Sequence, residues 1–78
     1  MEQRIIKIVG IAFDIDASDI QIADCVPESI AGWDSMSFLN LVMLLEEEFS
    51  VTFELEDIGE MANGGESLLS AIVRVTGV

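Results

Sequence analysis

Histidine and tyrosine are absent from this 78-residue sequence, and cysteine, proline and tryptophan each occur once. Without histidine, the chain lacks the commonest general base and the commonest metal ligand of proteins. The single cysteine, Cys25, cannot form a disulfide within the chain, which favours a reducing, cytoplasmic location. We therefore expect Cys25 to be a small buried hydrophobic residue rather than a nucleophile.

Positive charge is also scarce, with 3 basic residues against 15 acidic ones and a formal net charge of −12. The bases are Arg4, Lys7 and Arg74, so residues 10–73 carry none. Nucleic-acid binding is excluded because it depends on Lys and Arg. An anionic membrane surface is disfavoured for the same reason. The charge favours protein partners with basic patches, and the alternative is that it only keeps the domain soluble.

Long hydrophobic runs are absent, although apolar residues make up 51% of the sequence. That fraction is enough for a small core and argues against disorder. No run is long enough for the hydrophobic segment of a signal peptide or for a membrane span. We therefore expect one domain over residues 1–78, monomeric and without membrane insertion.

Hydrophobic periodicity predicts three longer helices, over residues 2–13, 35–48 and 66–75, and one short helix over residues 54–61. Residues 14–34 lose this periodicity and form a long first loop, rich in Asp, Ser, Pro and Gly. Such a loop must pack through its own apolar residues, and a short helical turn is expected within it. Strand signals are weak, so the predicted fold class is all-α, a small bundle.

The predicted helix at residues 35–48 carries two stripes. Its core stripe has helical spacing and consists of Phe38, Leu41, Val42, Leu45 and Phe49. A second stripe, with two methionines and few charges, consists of Met36, Asn40, Met43 and Glu47. Exposed methionines are typical of adaptable contact surfaces. The alternative is that both methionines fill the core of a helix buried on two sides.

Catalytic and metal sites find little support in the sequence. Ser35 stands between a loop and a helix, but a catalytic serine needs a base within hydrogen-bond reach and there is no histidine. Asp14, Asp16 and Ser18 have the spacing that opens a calcium loop, but Asp19 stands where that loop requires glycine. We expect no enzyme activity and no specific metal site.

Ser35 suits modification by another enzyme. A hydroxyl at a helix N-terminus is exposed, and the free N–H groups and positive dipole end there favour an attached phosphate. The alternative is that Ser35 or Asp34 serves only as a helix cap.

The residues around Ser35 resemble the acyl carrier protein family. The segment GWDSM at residues 32–36 is similar to the Asp-Ser-Leu-like triplet that opens the second helix of that family. The segment LVMLLEEEF at residues 41–49 is similar to the acidic run and Phe that close the helix. The likeness covers nearly the whole chain, from the first helix and long loop to the Gly65-Glu66 start of the last helix.

This resemblance implies that Ser35 carries 4′-phosphopantetheine through a phosphodiester and that the arm's thiol holds acyl cargo as a thioester. It implies that Asp34 helps a phosphopantetheinyl transferase, or holo-carrier synthase, to engage Ser35. The carrier would then present cargo to acyl-loading and acyl-using enzymes with basic patches. The family's partner-binding helix maps onto Met36, Asn40, Met43, Glu46 and Glu47.

Trp33 stands where fatty-acid-synthesis members of the family have a small residue, and Ser37 and Asn40 stand where they commonly have acids. This form looks more like free-standing carriers of specialised fatty-acid, polyketide-like, surface-glycan or lipid-modification pathways. The alternatives are an aminoacyl or peptidyl carrier and an unmodified acidic protein-interaction module. A pocket sheltering a lipid-like chain would be lined by Phe38, Leu41, Leu45 and Ile72.

Overall fold

A computed structural model describes residues 2–30 and 32–77, so three positions of the expected 1–78 domain, Met1, Ala31 and Val78, lie outside it. The described residues form four α-helices and no strand. These helices are α1 (Glu2–Phe13), α2 (Ser35–Phe49), α3 (Leu55–Met61) and α4 (Gly65–Thr76). The predicted all-α class, with three longer helices and one short helix, is confirmed.

The helix boundaries follow local capping chemistry. Helix α1 has its predicted bounds, and α2 extends one residue beyond its prediction. Glu54, predicted as the first residue of the short helix, is its N-cap instead, since its backbone N–H donates to Asp57 Oδ2 at 3.1 Å. Helix α4 begins one residue before its prediction and ends one residue after it, at Thr76, and its C-cap is Gly77, whose left-handed backbone (φ 74°) suits glycine.

The long first loop packs against the bundle, as predicted, and contains two 3₁₀ turns, Ala17–Asp19 and Ile22–Asp24. Its apolar residues Ile22, Cys25 and Ile30 are buried in the core. Burial, helped by the nearby charge of Asp24, raises the pKa of the Cys25 thiol to about 11. The thiol therefore stays protonated at neutral pH, and the predicted buried role of Cys25 is confirmed.

The core stripe of α2 faces the bundle interior, where Leu41 and Leu45 are fully buried. Helix α1 packs against α2, and α3 packs against α4. Arg4 fastens the first pair, because its guanidinium lies 4.5 Å from the Phe49 ring centroid and 3.0 Å from Glu48 Oε2. These two packed pairs share one core with the inward side chains of the first loop.

Gly10 has a packing role in α1 that its low helix propensity did not suggest. A Cβ atom at this position would lie 2.7 Å from the carbonyl oxygen of Ile15. The chain turns back here after Asp14, which has φ 57°, and Ile15 N–H donates to Gly10 O at 2.9 Å. Glycine therefore allows the first loop to cross close over the end of α1.

Arg74 joins α4 to α3 through two carboxylates. Its Nη2 lies 2.6 Å from Asp57 Oδ1, and its Nη1 lies 3.0 Å from Glu60 Oε1. The hydrogen bond from Arg74, with a further one from Glu54 N–H, lowers the pKa of Asp57 below its ordinary value of 3.8. One carboxylate thus caps α3 and holds α4 against it.

We expect Asp57→Asn to lower the melting temperature at pH 7 by a few degrees, because it removes the ion pair to Arg74. The effect is modest since the Arg74 side chain is half exposed to solvent. A carboxylate with a lowered folded pKa stabilises the protein above its unfolded pKa and loses that effect as pH falls through the folded value. The difference in melting temperature should therefore shrink as pH falls from about 5 to about 2.

Thermal unfolding by circular dichroism across this pH range measures the effect. The control is Glu56→Gln, which removes one charge from the same turn of α3 at an exposed side chain. A difference between wild type and Asp57→Asn that stayed constant down to pH 2 would contradict the ion-pair role.

Candidate functional site

Asp34 sets the start of α2. Its backbone is extended (φ −120°, ψ −179°), and its Oδ1 accepts a hydrogen bond from Ser37 N–H at 2.9 Å. Its carbonyl accepts the first helical bond, from Phe38 N–H at 2.8 Å. The amide and then the hydroxyl of Ser37 are the main causes that lower the pKa of Asp34, so this exposed carboxylate is ionised at neutral pH.

Ser35 is the first residue of α2 and is exposed. Because Asp34 supplies the cap, the Ser35 hydroxyl is not needed for it, and it makes no hydrogen bond within residues 2–30 and 32–77. The first amides of a helix have no carbonyl partner within it, and the helix dipole is positive there. The hydroxyl thus stands free in a setting that favours an attached anion.

An open depression of about 300 Å³ adjoins this hydroxyl. Its walls combine the first loop, the start of α2 and the end of α3. The lining residues are Pro27, Trp33, Asp34, Ser35, Phe38 and Ala62. Asp34 and Ser35 contribute its polar side chains, and the other four residues are apolar.

Trp33 belongs to a three-ring stack beside Ser35. Its indole lies 5.1 Å from the Phe13 ring at an interplanar angle of 10°, and 6.0 Å from the Phe38 ring at 19°. Aromatic pairs at such separations stabilise by about 0.5–1.5 kcal/mol beyond the area they bury. The stack joins the end of α1 to the first turn of α2. The sequence did not indicate it, because Phe13 and Trp33 meet only through the fold.

The second stripe of α2 is exposed, which decides between the two alternatives for its methionines. Met36 is 83% exposed and Met43 is 64% exposed. Asn40 and Glu47 are exposed as well. Leu39, which was not among the residues predicted for this stripe, is also exposed and lies one turn from Met36 and Met43. Helix α2 therefore presents an exposed apolar stripe with a polar border. This surface, here called the Met stripe, consists of Met36, Leu39 and Met43 with Asn40 and Glu47.

Glu46 differs from the other four residues predicted to bind partners. It is half-buried, and its Oε2 accepts a hydrogen bond from Phe53 N–H at 2.8 Å. This bond holds the segment between α2 and α3 against the end of α2. Its position in the acidic run gave no sign of this role, which arises because the chain turns back after α2.

The four residues expected to line an acyl pocket separate into two groups. Phe38 lines the depression beside Ser35. Leu41, Leu45 and Ile72 are each 0% exposed and belong to the common core. Of these four residues, therefore, only Phe38 lines the apolar depression beside Ser35.

No group of three or more metal-ligating side chains is found within the described ranges, residues 2–30 and 32–77. None of the four helices in this part of the chain has the length and apolar character needed to cross a membrane. No protein-family model matches the chain, and no solved structure matches it at a significant level.

Proposed function

We propose that this chain is a carrier domain in which Ser35 bears 4′-phosphopantetheine and the arm's thiol holds an acyl group as a thioester. The observation that carries the proposal is the Ser35 hydroxyl, which is exposed at the first residue of α2 and forms no hydrogen bond within the part of the chain that the structure describes. The likeness of residues 32–36 and 41–49 to the acyl carrier protein family supports it.

The residues around Ser35 fit such a group. A phosphodiester on Oγ would lie at the positive end of α2, close to amides without helical partners. The apolar wall of Pro27, Trp33, Phe38 and Ala62 begins next to it, so the arm would leave the phosphate along an uncharged surface. Asp34 is exposed and ionised beside the hydroxyl, where a transferase can contact it.

The attachment step needs coenzyme A and a phosphopantetheinyl transferase. Ser35 Oγ bonds to the phosphorus nearer the pantetheine, and the P–O bond to the second phosphate breaks. Adenosine 3′,5′-bisphosphate leaves with the electron pair, and the serine proton passes to a base of the transferase. Once bound, the group supplies a thiol for thioester formation on a flexible tether, which keeps cargo at high effective concentration near each enzyme.

The Met stripe supports a role in presenting cargo to partner enzymes. Met36, Leu39 and Met43 offer flexible apolar contacts next to the attachment residue. The net charge of −12 attracts enzymes with basic patches and speeds their encounter with the carrier. Met36, Asn40, Met43 and Glu47 are the proposed contacts, whereas Glu46 contributes mainly by holding the segment after α2.

The residues next to the site favour a specialised pathway over bulk fatty-acid synthesis. Trp33 stacks between the rings of Phe13 and Phe38, and a small residue at this position would lack both aromatic contacts. Ser37 is half-buried, its backbone N–H donates to the Asp34 carboxylate, and Asn40 is uncharged. An aminoacyl or peptidyl carrier is the alternative within this proposal, because such cargo attaches through the same thioester.

A second candidate function is an unmodified acidic interaction module. The exposure of the Met stripe favours it, since such a surface binds a basic partner with or without a prosthetic group. Ser35 would then be only the first residue of α2. The two functions differ in whether the Ser35 hydroxyl is needed.

Intact mass spectrometry tests the proposal directly. The folded, unmodified protein is incubated with coenzyme A and a broad-specificity phosphopantetheinyl transferase. A gain of one phosphopantetheine, mapped by peptide sequencing to Ser35, is the expected result. No gain in mass, with a known carrier loaded in parallel, would favour the interaction module.

A further inference from the structure

We propose that the depression beside Ser35 is a surface seat for a short, uncharged acyl group, which rests against the indole of Trp33 outside the bundle core. This inference rests on the proposed carrier function, because the occupant is the group tethered to Ser35. The tether begins inside the depression, since Ser35 is one of its lining residues.

The size of the depression limits its occupant. Its volume of about 300 Å³ lies at the low end of the range for small-molecule sites, about 300–1,000 Å³. The adjoining arm shares this space, and the depression is open to solvent on one side. A short acyl group therefore fits against its wall, whereas a long chain extends past it.

The charge of the lining selects an uncharged group. Pro27, Trp33, Phe38 and Ala62 are apolar, and the carboxylate of Asp34 is anionic at neutral pH. A cargo with a free carboxylate would be repelled by Asp34 and by the net charge of −12. When a neutral acyl group lies on this wall, mainly apolar surface is removed from water, which is favourable.

The aromatic stack makes the wall firm. Trp33 is packed between Phe13 and Phe38, so its indole does not have to reorganise when cargo arrives. Trp33 and Phe38 line the depression, whereas Leu41 and Leu45 do not line it and are fully buried. Placing the acyl group on a preformed surface requires less free energy than opening a packed core, because side chains displaced from the core lose their contacts.

Trp33 is the sole tryptophan, so its fluorescence reports on this site alone. A broad-specificity transferase loads the full chain from coenzyme A, butyryl-coenzyme A and malonyl-coenzyme A, and intact mass confirms each product. We expect butyryl loading to shift Trp33 emission to the blue and to reduce acrylamide quenching about twofold. Both effects arise because a bound group shields the indole from water and from the quencher. Malonyl loading should leave both values at those of the unacylated arm.

Two variants localise the response. Ala62→Leu fills the depression and should abolish the butyryl effect on Trp33 in the fraction of protein that intact mass shows to be loaded. Ala23→Leu places the same side chain at an exposed residue of the second 3₁₀ turn and should leave the effect unchanged. Circular dichroism establishes that both variants are folded.

NMR of the butyryl form separates the surface seat from burial in the core. The chemical shift of the Trp33 indole N–H should change, and the methyl chemical shifts of Leu41, Leu45 and Ile72 should equal those of the unacylated form. Movement of those methyl signals without a change at Trp33 would overturn the inference. Confirmed loading with no butyryl effect on Trp33 would also overturn it and leave the carrier function standing. An absence of added mass would overturn both.

Discussion

Replacing Ser35 with alanine should abolish phosphopantetheine loading and leave the helical spectrum unchanged. A complete loss is expected because, in the proposed attachment step, the Ser35 hydroxyl oxygen forms the new phosphoester bond. The fold is retained because Asp34, and not Ser35, caps α2, and because the Ser35 side chain is exposed. Intact mass after incubation with coenzyme A and transferase measures the first effect, and far-UV circular dichroism measures the second.

The matched control for Ser35→Ala is Ser70→Ala, which removes an exposed hydroxyl from helix α4. This control should load as fully as the wild type. A Ser35→Ala protein that still gained the mass of one phosphopantetheine would overturn the assigned site.

A companion variant separates recognition by the transferase from capping. Asp34→Asn retains a side-chain oxygen that can accept from Ser37 N–H, but it removes the charge beside Ser35. If the carboxylate helps the transferase to engage the serine, this variant should load more slowly at equal helix content. Equal loading rates would assign Asp34 to capping alone.

The second large effect is expected at Gly64, between α3 and α4. Its φ of +73° is strained for other residues, and an added Cβ would lie 2.9 Å from Val26 Cα and collide with the carbonyl oxygen of Cys25. That same oxygen accepts a hydrogen bond from Gly65 N–H at 2.9 Å. We expect Gly64→Ala to destabilise the protein by about 2 kcal/mol or more, a fall of about 10 °C in melting temperature.

Gly59→Ala is the matched control, because nothing lies within 4 Å of an added Cβ at this helical, exposed residue of α3. This substitution should be neutral or stabilise by about 0.5–1 kcal/mol, as expected for replacing glycine with alanine inside a helix. Urea or thermal unfolding of the three proteins measures both effects. Equal stability of the two variants would contradict the close contact at Gly64.

The same contact connects stability to the candidate site. Pro27 follows Cys25 by two residues, and Ala62 precedes Gly64 by two, and both line the depression beside Ser35. Displacing the first loop from the start of α4 would therefore move residues that line the depression. We expect the Trp33 emission of Gly64→Ala to differ from that of the wild type at temperatures where both are folded.

The sequence predicted the helices of this protein well because each one carries a clear local signal. Apolar residues repeat with helical spacing in α1, α2 and α4, and the acidic residues at the start of α3 suit a helix N-terminus. The boundary errors are one residue each, at the ends of α2 and α4 and at Glu54. These ends depend on single hydrogen bonds, which periodicity does not record.

The candidate site was only half visible in the sequence. Ser35, Asp34 and the Met stripe follow from local rules, since a cap residue, the first helical residue and one helix face are all defined by nearby positions. The internal bond of Glu46 to Phe53 N–H did not follow, because it depends on how the chain returns after α2. The same holds for the wall of Pro27, Trp33, Phe38 and Ala62.

The sequence by itself determined an acidic, helical chain with an exposed serine at the start of its second helix, because charge, periodicity and capping are local properties. The tertiary structure alone decided that Trp33 stacks between Phe13 and Phe38, that Gly64 meets Cys25 and that Ser35 adjoins an apolar depression. These contacts join residues distant along the chain, and their partners are chosen by the packing of the whole core.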